Sequence, residues 1–230
     1  MRAARALVPT LIVVPLVGLL AWLGTWQIER AEEKRQQSAL FEATGAPLTT
    51  LPASPAPRYT RVALEGHYLA DRQVLLDNMT HSGRVGFRVL TPFATKEGTT
   101  LLVDRGWVPV GSTRADLPDV AVADGSRQVS GRLDELPRAG LSPGTDVGSG
   151  WPRVLNYPAL ATLERALGRV LYPKLLLLDA GATDGYVRDW QPTGLSYERH
   201  VGYAVQWYAL AATLAVLYVV VGLRKRGVLK

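Results

Sequence analysis

Three histidines, His67, His81 and His200, are the first places to look for chemistry in this chain. They lie far apart in sequence and lack the spacing of metal ligands. His67 and His81 read as solvated positions, one at a strand end and one in a loop. His200 stands out by its neighbours. On a helix, His200, Tyr203 and Trp207 follow i, i+3, i+7 and share one face. Gln206 adds a polar group about one turn into the apolar stretch that follows, where polar side chains usually meet protein or ligand. A neutral imidazole there can serve as an axial ligand to haem iron, with aromatic rings against the macrocycle and Arg199 or Arg30 near its propionates. The same residues also suit an interfacial belt at headgroup level. The spacing leaves both readings open.

A second cluster, Asp104-Arg105-Gly106-Trp107, closes a strand. In one reading Asp104 and Arg105 pair with neighbours and Trp107 packs. In the other, Arg105 and Trp107 form a partner-binding surface, since Arg and Trp dominate interface hot spots. Other chemistry is scarce. There is no G-x-S-x-G, P-loop, H-E-x-x-H or G-x-G-x-x-G. The chain has no cysteine, which excludes disulfides, thiolate metal sites, iron–sulfur clusters and Cys nucleophiles. A membrane-tethered enzyme would have to use carboxylates such as Glu65, Asp77, Asp104 or Asp179. All four fall in strand-like segments that explain them as edge or turn residues, so the chain is read as non-enzymatic.

These residues are positioned by two apolar stretches and what lies between them. The 230-residue chain is 47% hydrophobic and 20% charged. Its pattern divides into a tail (1–6), a first span (7–27), a β-rich domain (28–200), a second span (201–223) and a second tail (224–230). Each span is roughly 20 residues, enough to cross a hydrocarbon core about 30 Å thick. Roughly 170 residues remain, sufficient for one cored domain. The net charge of +6 is concentrated at the tips, in Arg2, Arg5, Arg224, Lys225, Arg226 and Lys230. Basic tips mark cytoplasmic segments and place the domain on the far side, although Arg30, Lys34 and Arg35 weaken the first span's own bias. No Lys/Arg run with interleaved aromatics points to nucleic acid. The first span is longer than a signal-peptide core and has no A-x-A site after it, so it reads as an uncleaved anchor. Trp22 and Trp26 are placed as interfacial anchors near its outer end.

Beyond Trp26 the charged, helix-prone stretch Gln27–Ala43 continues the first helix until Gly45-Ala46-Pro47 stops it. Six strand signals follow: Arg58–His67, Gln73–Asn78, the alternation around Val85, Phe87 and Val89, Thr99–Trp107, Gln128–Leu133, and Lys174–Asp179. Closely spaced strands with few helices predict a mainly antiparallel sheet or small barrel. One helix interrupts them, with Asn156 as its cap, Pro158 in its first turn, Leu160, Leu163 and Leu167 as its apolar face, and Gly168 as its end. Ala139–Gly150, rich in Gly, Ser and Pro, is expected to be a mobile loop.

Several segments carry a family likeness. Leu23-Gly24-Thr25-Trp26-Gln27, followed by Arg30 and Lys34, resembles the first-helix signature of the SURF1 (Shy1) family. Glu65-Gly66-His67-Tyr68 and Val85-Gly86-Phe87-Arg88-Val89-Leu90-Thr91-Pro92-Phe93 resemble its central segments. Leu102-Val103-Asp104-Arg105-Gly106-Trp107-Val108-Pro109 resembles its RGW element, and His200-Val201-Gly202-Tyr203-Ala204-Val205-Gln206-Trp207-Tyr208 its closing motif. The matches run in one order over most of the chain. Two departures are visible: Asp104 stands where Asn is frequent, and Asn156-Tyr157 where an acidic residue is common.

The resemblance implies an assembly factor for haem–copper cytochrome c oxidase in the bacterial inner membrane, with both termini cytoplasmic and the domain periplasmic. Its partners would be oxidase subunit I and other assembly factors, and its cofactor haem a, held transiently. His200 would ligate the haem iron, Tyr203, Trp207 and Trp26 would wall the site, and Gln206 would orient a polar edge. The alternative is a cofactor-free membrane scaffold that stabilises subunit I, in which Arg105 and Trp107 matter more than His200.

Overall fold

A computed structural model describes residues 2–113, 116–137, 146–147, 150–192 and 194–225. The chain separates into two compact units, Met1–Ala39 with Pro192–Lys230, and Leu40–Gln191. The basic tail residues Arg226 and Lys230 lie outside the described residues.

The first unit is built from helices α1 (Arg2–Glu42) and α3 (Tyr197–Lys225). At 1.5 Å per residue, α1 is about 60 Å long, twice the hydrocarbon thickness. It therefore continues well past any span it makes, through the charged stretch after Trp26, and ends before Gly45. Pro9 and Pro15 lie inside it. Both helices are long and apolar enough to cross a membrane, and only 6% and 11% of their most apolar windows are buried. That exposure is the opposite of a soluble core helix, whose apolar surface is covered by protein.

The second unit is a β domain. Strands β1 (Arg61–Tyr68), β3 (Arg84–Thr95), β4 (Thr100–Pro109), β5 (Arg127–Asp134) and β8 (Leu175–Leu178) run in the order β1-β5-β8-β4-β3, and a β1–β3 pairing closes them into a five-stranded barrel. Gly66 sits at the closure, facing Arg127 of β5 and Thr95 of β3. A Cβ there would lie 2.1 Å from the Ala94 carbonyl oxygen, so only glycine lets β1 change partners. Strand β2 (Val74–His81) pairs outside the barrel with β3 and carries β7 (Arg153–Leu155) and β6 (Asp146–Val147).

The expected two-helix, β-barrel architecture is present. Most pairings are antiparallel, but β4–β8 and β2–β7 are parallel. Burial explains the sequence pattern. Strand β8 and almost all of β4 are buried on both faces, so Leu101-Leu102-Val103 and Leu175–Leu178 read as unbroken apolar runs instead of alternations. One core fills the barrel with Leu64, Phe93, Leu101, Val103, Leu133 and Leu176. A second sits on its outer surface, where Leu102, Leu155, Leu175 and Leu177 pack with Leu163 of helix α2 (Leu160–Leu167). The alternation expected around Val85 is broken: Val85 is exposed while Phe87, Val89 and Leu90 are all buried, because a register shift between Arg88 and Leu90 re-aims the strand.

Helix α2 starts later than expected. Its N-cap is Ala159, without a side-chain cap. Tyr157 adopts a left-handed φ of 46°, which no helix continues through, so Asn156 and Pro158 precede the helix and do not open it. Gly168 ends it in the left-handed conformation as expected. Of the expected loop Ala139–Gly150, Asp146–Val147 forms the short strand β6 and Gly150 is a bend. Its other residues lie outside the described part.

Candidate functional site

The two long helices run antiparallel within their unit, and side chains pair them at three levels. Thr10 Oγ1 meets the Tyr218 hydroxyl at 2.5 Å, Thr25 Oγ1 meets the Tyr208 hydroxyl at 3.0 Å, and Gln27 Oε1 meets His200 Nδ1 at 2.7 Å. The residues that face the partner recur at alternating steps of three and four. On α1 they include Val17, Leu20, Gly24, Gln27 and Ala31, and on α3 His200, Ala204, Trp207 and Ala211. This is the period of a left-handed helix pair. Besides His200, its buried positions are Gly24, Ala31, Ala204 and Ala211, small residues of the kind that let backbones approach in a membrane. A Cβ on Gly24 would lie 2.8 Å from the Tyr208 ring. Thr25 donates to the Ala21 carbonyl one turn back, so the Tyr208 hydroxyl is the donor to Thr25.

His200 is only 8% exposed. Its Nδ1 is held by Gln27, and Nε2 makes no hydrogen bond to a described residue. A side-chain carbonyl oxygen only accepts, so Nδ1 carries the proton and Nε2 presents a lone pair. That is the donor atom an axial iron ligand needs, with its tautomer set by the opposite nitrogen. The residues present therefore fit a single-imidazole ligand. Among the described residues there is no cluster of three or more His, Cys, Asp or Glu that could hold a bare metal ion.

The other expected site residues are arranged less closely. Trp207 is half-buried and falls on the His200 side of α3. Tyr203 is 43% exposed and Gln206 is exposed, so the stripe read from i, i+3, i+7 spans the edge of the helix contact. Trp26 is 38% exposed. One residue before Gln27, it is rotated about 100° from the contact, onto an exposed face with Trp22, where the Arg30 guanidinium lies 5.8 Å from its ring. Gly24, Thr25 and Gln27 belong to the first-helix segment that the sequence marks as meeting the His200–Trp207 end, and Gln27 does meet His200. The pairing of Thr25 with Tyr208 is signalled only by the three-and-four spacing of small and polar residues along both spans.

In the β domain, Arg105 and Trp107 point inward. Arg105 is 3% exposed. Its Nε donates to the Asp184 carbonyl at 2.7 Å, and one terminal nitrogen donates to the Val120 carbonyl at 2.8 Å and to Gln73 Oε1 at 3.1 Å. Tyr186 and Tyr68 lie 5.0 and 5.8 Å from the guanidinium. The cation is thus satisfied by carbonyl dipoles and aromatic faces. Trp107 donates its indole N–H to the Met79 carbonyl at 2.8 Å, and its ring meets that of His81 at a tilt of 41°, centroids 5.3 Å apart. All contacts named here for these two side chains are internal, so any contribution to partner binding passes through the shape they give the domain.

Asp104 is fully buried in the middle of β4, not at an edge or turn. It accepts the Gly106 amide at 3.0 Å and meets Arg88 as an ion pair that lacks hydrogen-bond alignment. Burial pushes its carboxyl above the ordinary carboxylate value, against the opposing pull of Arg88 and the Gly106 N–H. Arg88 in turn lies over Trp190 at 4.8 Å. A cavity of about 280 Å³ opens here, lined by His81, Arg88, Trp107, Tyr157, Asp189 and Trp190. His67 is exposed on β1, and Glu65 beside it pairs with Lys96.

The contact pairs Gln27–His200 and Thr25–Tyr208 both fall inside the span, residues 14–212, that matches the model of the SURF1 family. The chain belongs to the SURF1 family. A SURF1-like protein of Monosiga brevicollis is 29% identical over 235 residues, covering 94% of this chain and 87% of that one. Surfeit locus protein 1 of Takifugu rubripes is 28% identical, covering 85% and 89%. A SURF1-like protein of Rickettsia bellii is 27% identical, covering 87% and 85%. The SURF1 match takes in the whole barrel, α1 from residue 14 and α3 as far as residue 212, so two of the three helix contacts lie in the shared region and Thr10–Tyr218 lies outside it.

Proposed function

We propose that this SURF1-family chain is an assembly factor for haem–copper cytochrome oxidase, holding haem a transiently and passing it to subunit I. The observation that carries the reading is His200: buried between two membrane-length helices, its Nδ1 anchored on Gln27 and its Nε2 without a hydrogen-bond partner among the described residues. Family membership supplies the oxidase context.

In this reading haem a is cargo, and its iron would accept one imidazole nitrogen from the protein. The protein's own residues do the rest. His200 offers Nε2. Trp207, half-buried two turns along the same helix face, and the exposed rings of Tyr203 and Trp26 would supply apolar surface, while Gln206 would offer a polar contact. A site with one imidazole ligand on an exposed helix pair allows release, which a closed two-ligand pocket would resist. The basic residues at both chain tips support cytoplasmic termini with the barrel on the far side of the membrane. The family resemblance implies that this membrane is the bacterial inner one and the barrel periplasmic.

The test is genetic and spectroscopic. Cells that make haem a but lack this chain are expected to hold subunit I with a weakened haem a band. Wild-type protein restores the band and His200→Ala does not. Full haem loading of the oxidase without the chain contradicts the proposal. One observation favours a second reading, a cofactor-free scaffold: the three interhelical contacts form a clasp that needs no ligand. Protein that is colourless yet co-purifies with oxidase subunits supports that alternative.

A further inference from the structure

We infer that Gln27 is the positioning residue for His200, fixing its tautomer and ring orientation so that Nε2 is the iron-facing atom. The inference rests on the haem-handling reading above and assigns a role to a residue 173 positions away in sequence. Three features carry it. The Nδ1–Oε1 distance of 2.7 Å is that of a strong, well-formed bond. Gln27 lies in the helix contact between Gly24 and Ala31, both buried, so the paired helices hold its side chain within reach of His200. The geometry is also binary. With Oε1 accepting, the imidazole proton sits on Nδ1 and Nε2 can coordinate. With the amide turned over, an N–H would point at Nδ1, the proton would move to Nε2, and coordination through that atom would be lost.

The choice of glutamine has a chemical consequence. A neutral amide oxygen orients the ring but adds no negative charge, so the imidazole stays a moderate donor. A carboxylate in the same place would give the ring more anionic character, strengthen its hold on ferric iron and lower the reduction potential. A carrier that must release its cargo is served by the neutral acceptor.

The test uses the full chain purified in detergent and titrated with haem a, comparing wild type, Gln27→Leu, Gln27→Glu, Thr25→Val and His200→Ala. Leucine keeps the bulk and removes the acceptor, and haem a affinity is expected to fall by about 10- to 100-fold. Glutamate restores the acceptor, and binding is expected to return with a reduction potential below that of wild type. Thr25→Val removes the neighbouring Thr25–Tyr208 bond, which does not touch His200, and is expected to leave the potential unchanged. Gln27→Leu binding within twofold of wild type at the same potential overturns the inference alone, provided His200→Ala loses haem. Equal binding by His200→Ala overturns both this inference and the reading beneath it.

Discussion

Replacing Arg105 with alanine separates two roles that the sequence allowed for this residue. The structure gives the guanidinium three short hydrogen bonds, at 2.7, 2.8 and 3.1 Å, to the Asp184 and Val120 carbonyls and to Gln73 Oε1. A hydrogen bond to a charged group contributes about 1.5–3 kcal/mol, and acceptors stripped of their donor inside a protein cost about 1–3 kcal/mol each. Water entering the space left by the side chain recovers part of this. The net loss expected for Arg105→Ala is about 3–5 kcal/mol, the range for breaking a buried charged cluster. At about 2–4 °C per kcal/mol for a domain this size, the barrel should melt at least 6 °C lower. Arg105→Lys keeps the charge but cannot span three acceptors, and should fall between. The assay is thermal unfolding of the full chain in detergent, followed by tryptophan fluorescence, since Trp107 and Trp190 both lie in the barrel unit. A change in melting temperature under 2 °C, accompanied by loss of oxidase association, refutes the packing argument and restores Arg105 as a surface contact.

Other outcomes follow from the same geometry. Gly24→Ala places a methyl group 2.8 Å from the Tyr208 ring. Because Tyr208 is itself exposed and can swing aside, the expected cost is about 1 kcal/mol of helix pairing, read as a loss of cross-linking between cysteines introduced at Val17 and Leu214. Asp104→Asn tests the buried carboxyl. Its folded value is raised above the ordinary 3.8, so as pH rises from near 3.8 the unfolded chain releases this proton first and folding stability falls. Asparagine keeps an acceptor for the Gly106 amide and removes the titration, so its melting temperature should change less between pH 4 and 7 than that of wild type. Parallel profiles contradict the assignment.

Much of the fold was legible because burial writes itself into the sequence. The period-two pattern in β1 and the unbroken apolar runs of β4 and β8 gave six strands close to their observed places. The parallel β2–β7 pairing was not legible. Arg153–Leu155 is three residues long and becomes a strand only because Val74–Leu76 offers it an open edge, a long-range fact with no local signature. The start of α2 was misplaced because Asn156 and Pro158 carry helix-start signals, while the left-handed turn at Tyr157 is imposed by its surroundings. At the candidate site, His200 and Trp26 stood out by residue type. Gln27 stood out only as part of the Gly24-Thr25-Trp26-Gln27 segment; its bond to His200 Nδ1 is a long-range contact that becomes visible once the second helix supplies the partner.

The most direct measurement is the visible absorption spectrum of the full chain purified from cells that synthesise haem a, beside that of His200→Ala. The wild-type protein is expected to show a haem a spectrum that disappears in the variant, with the melting temperature of the barrel unchanged. A spectrum of equal intensity in both proteins, or none in either despite abundant haem a, contradicts the haem-handling reading.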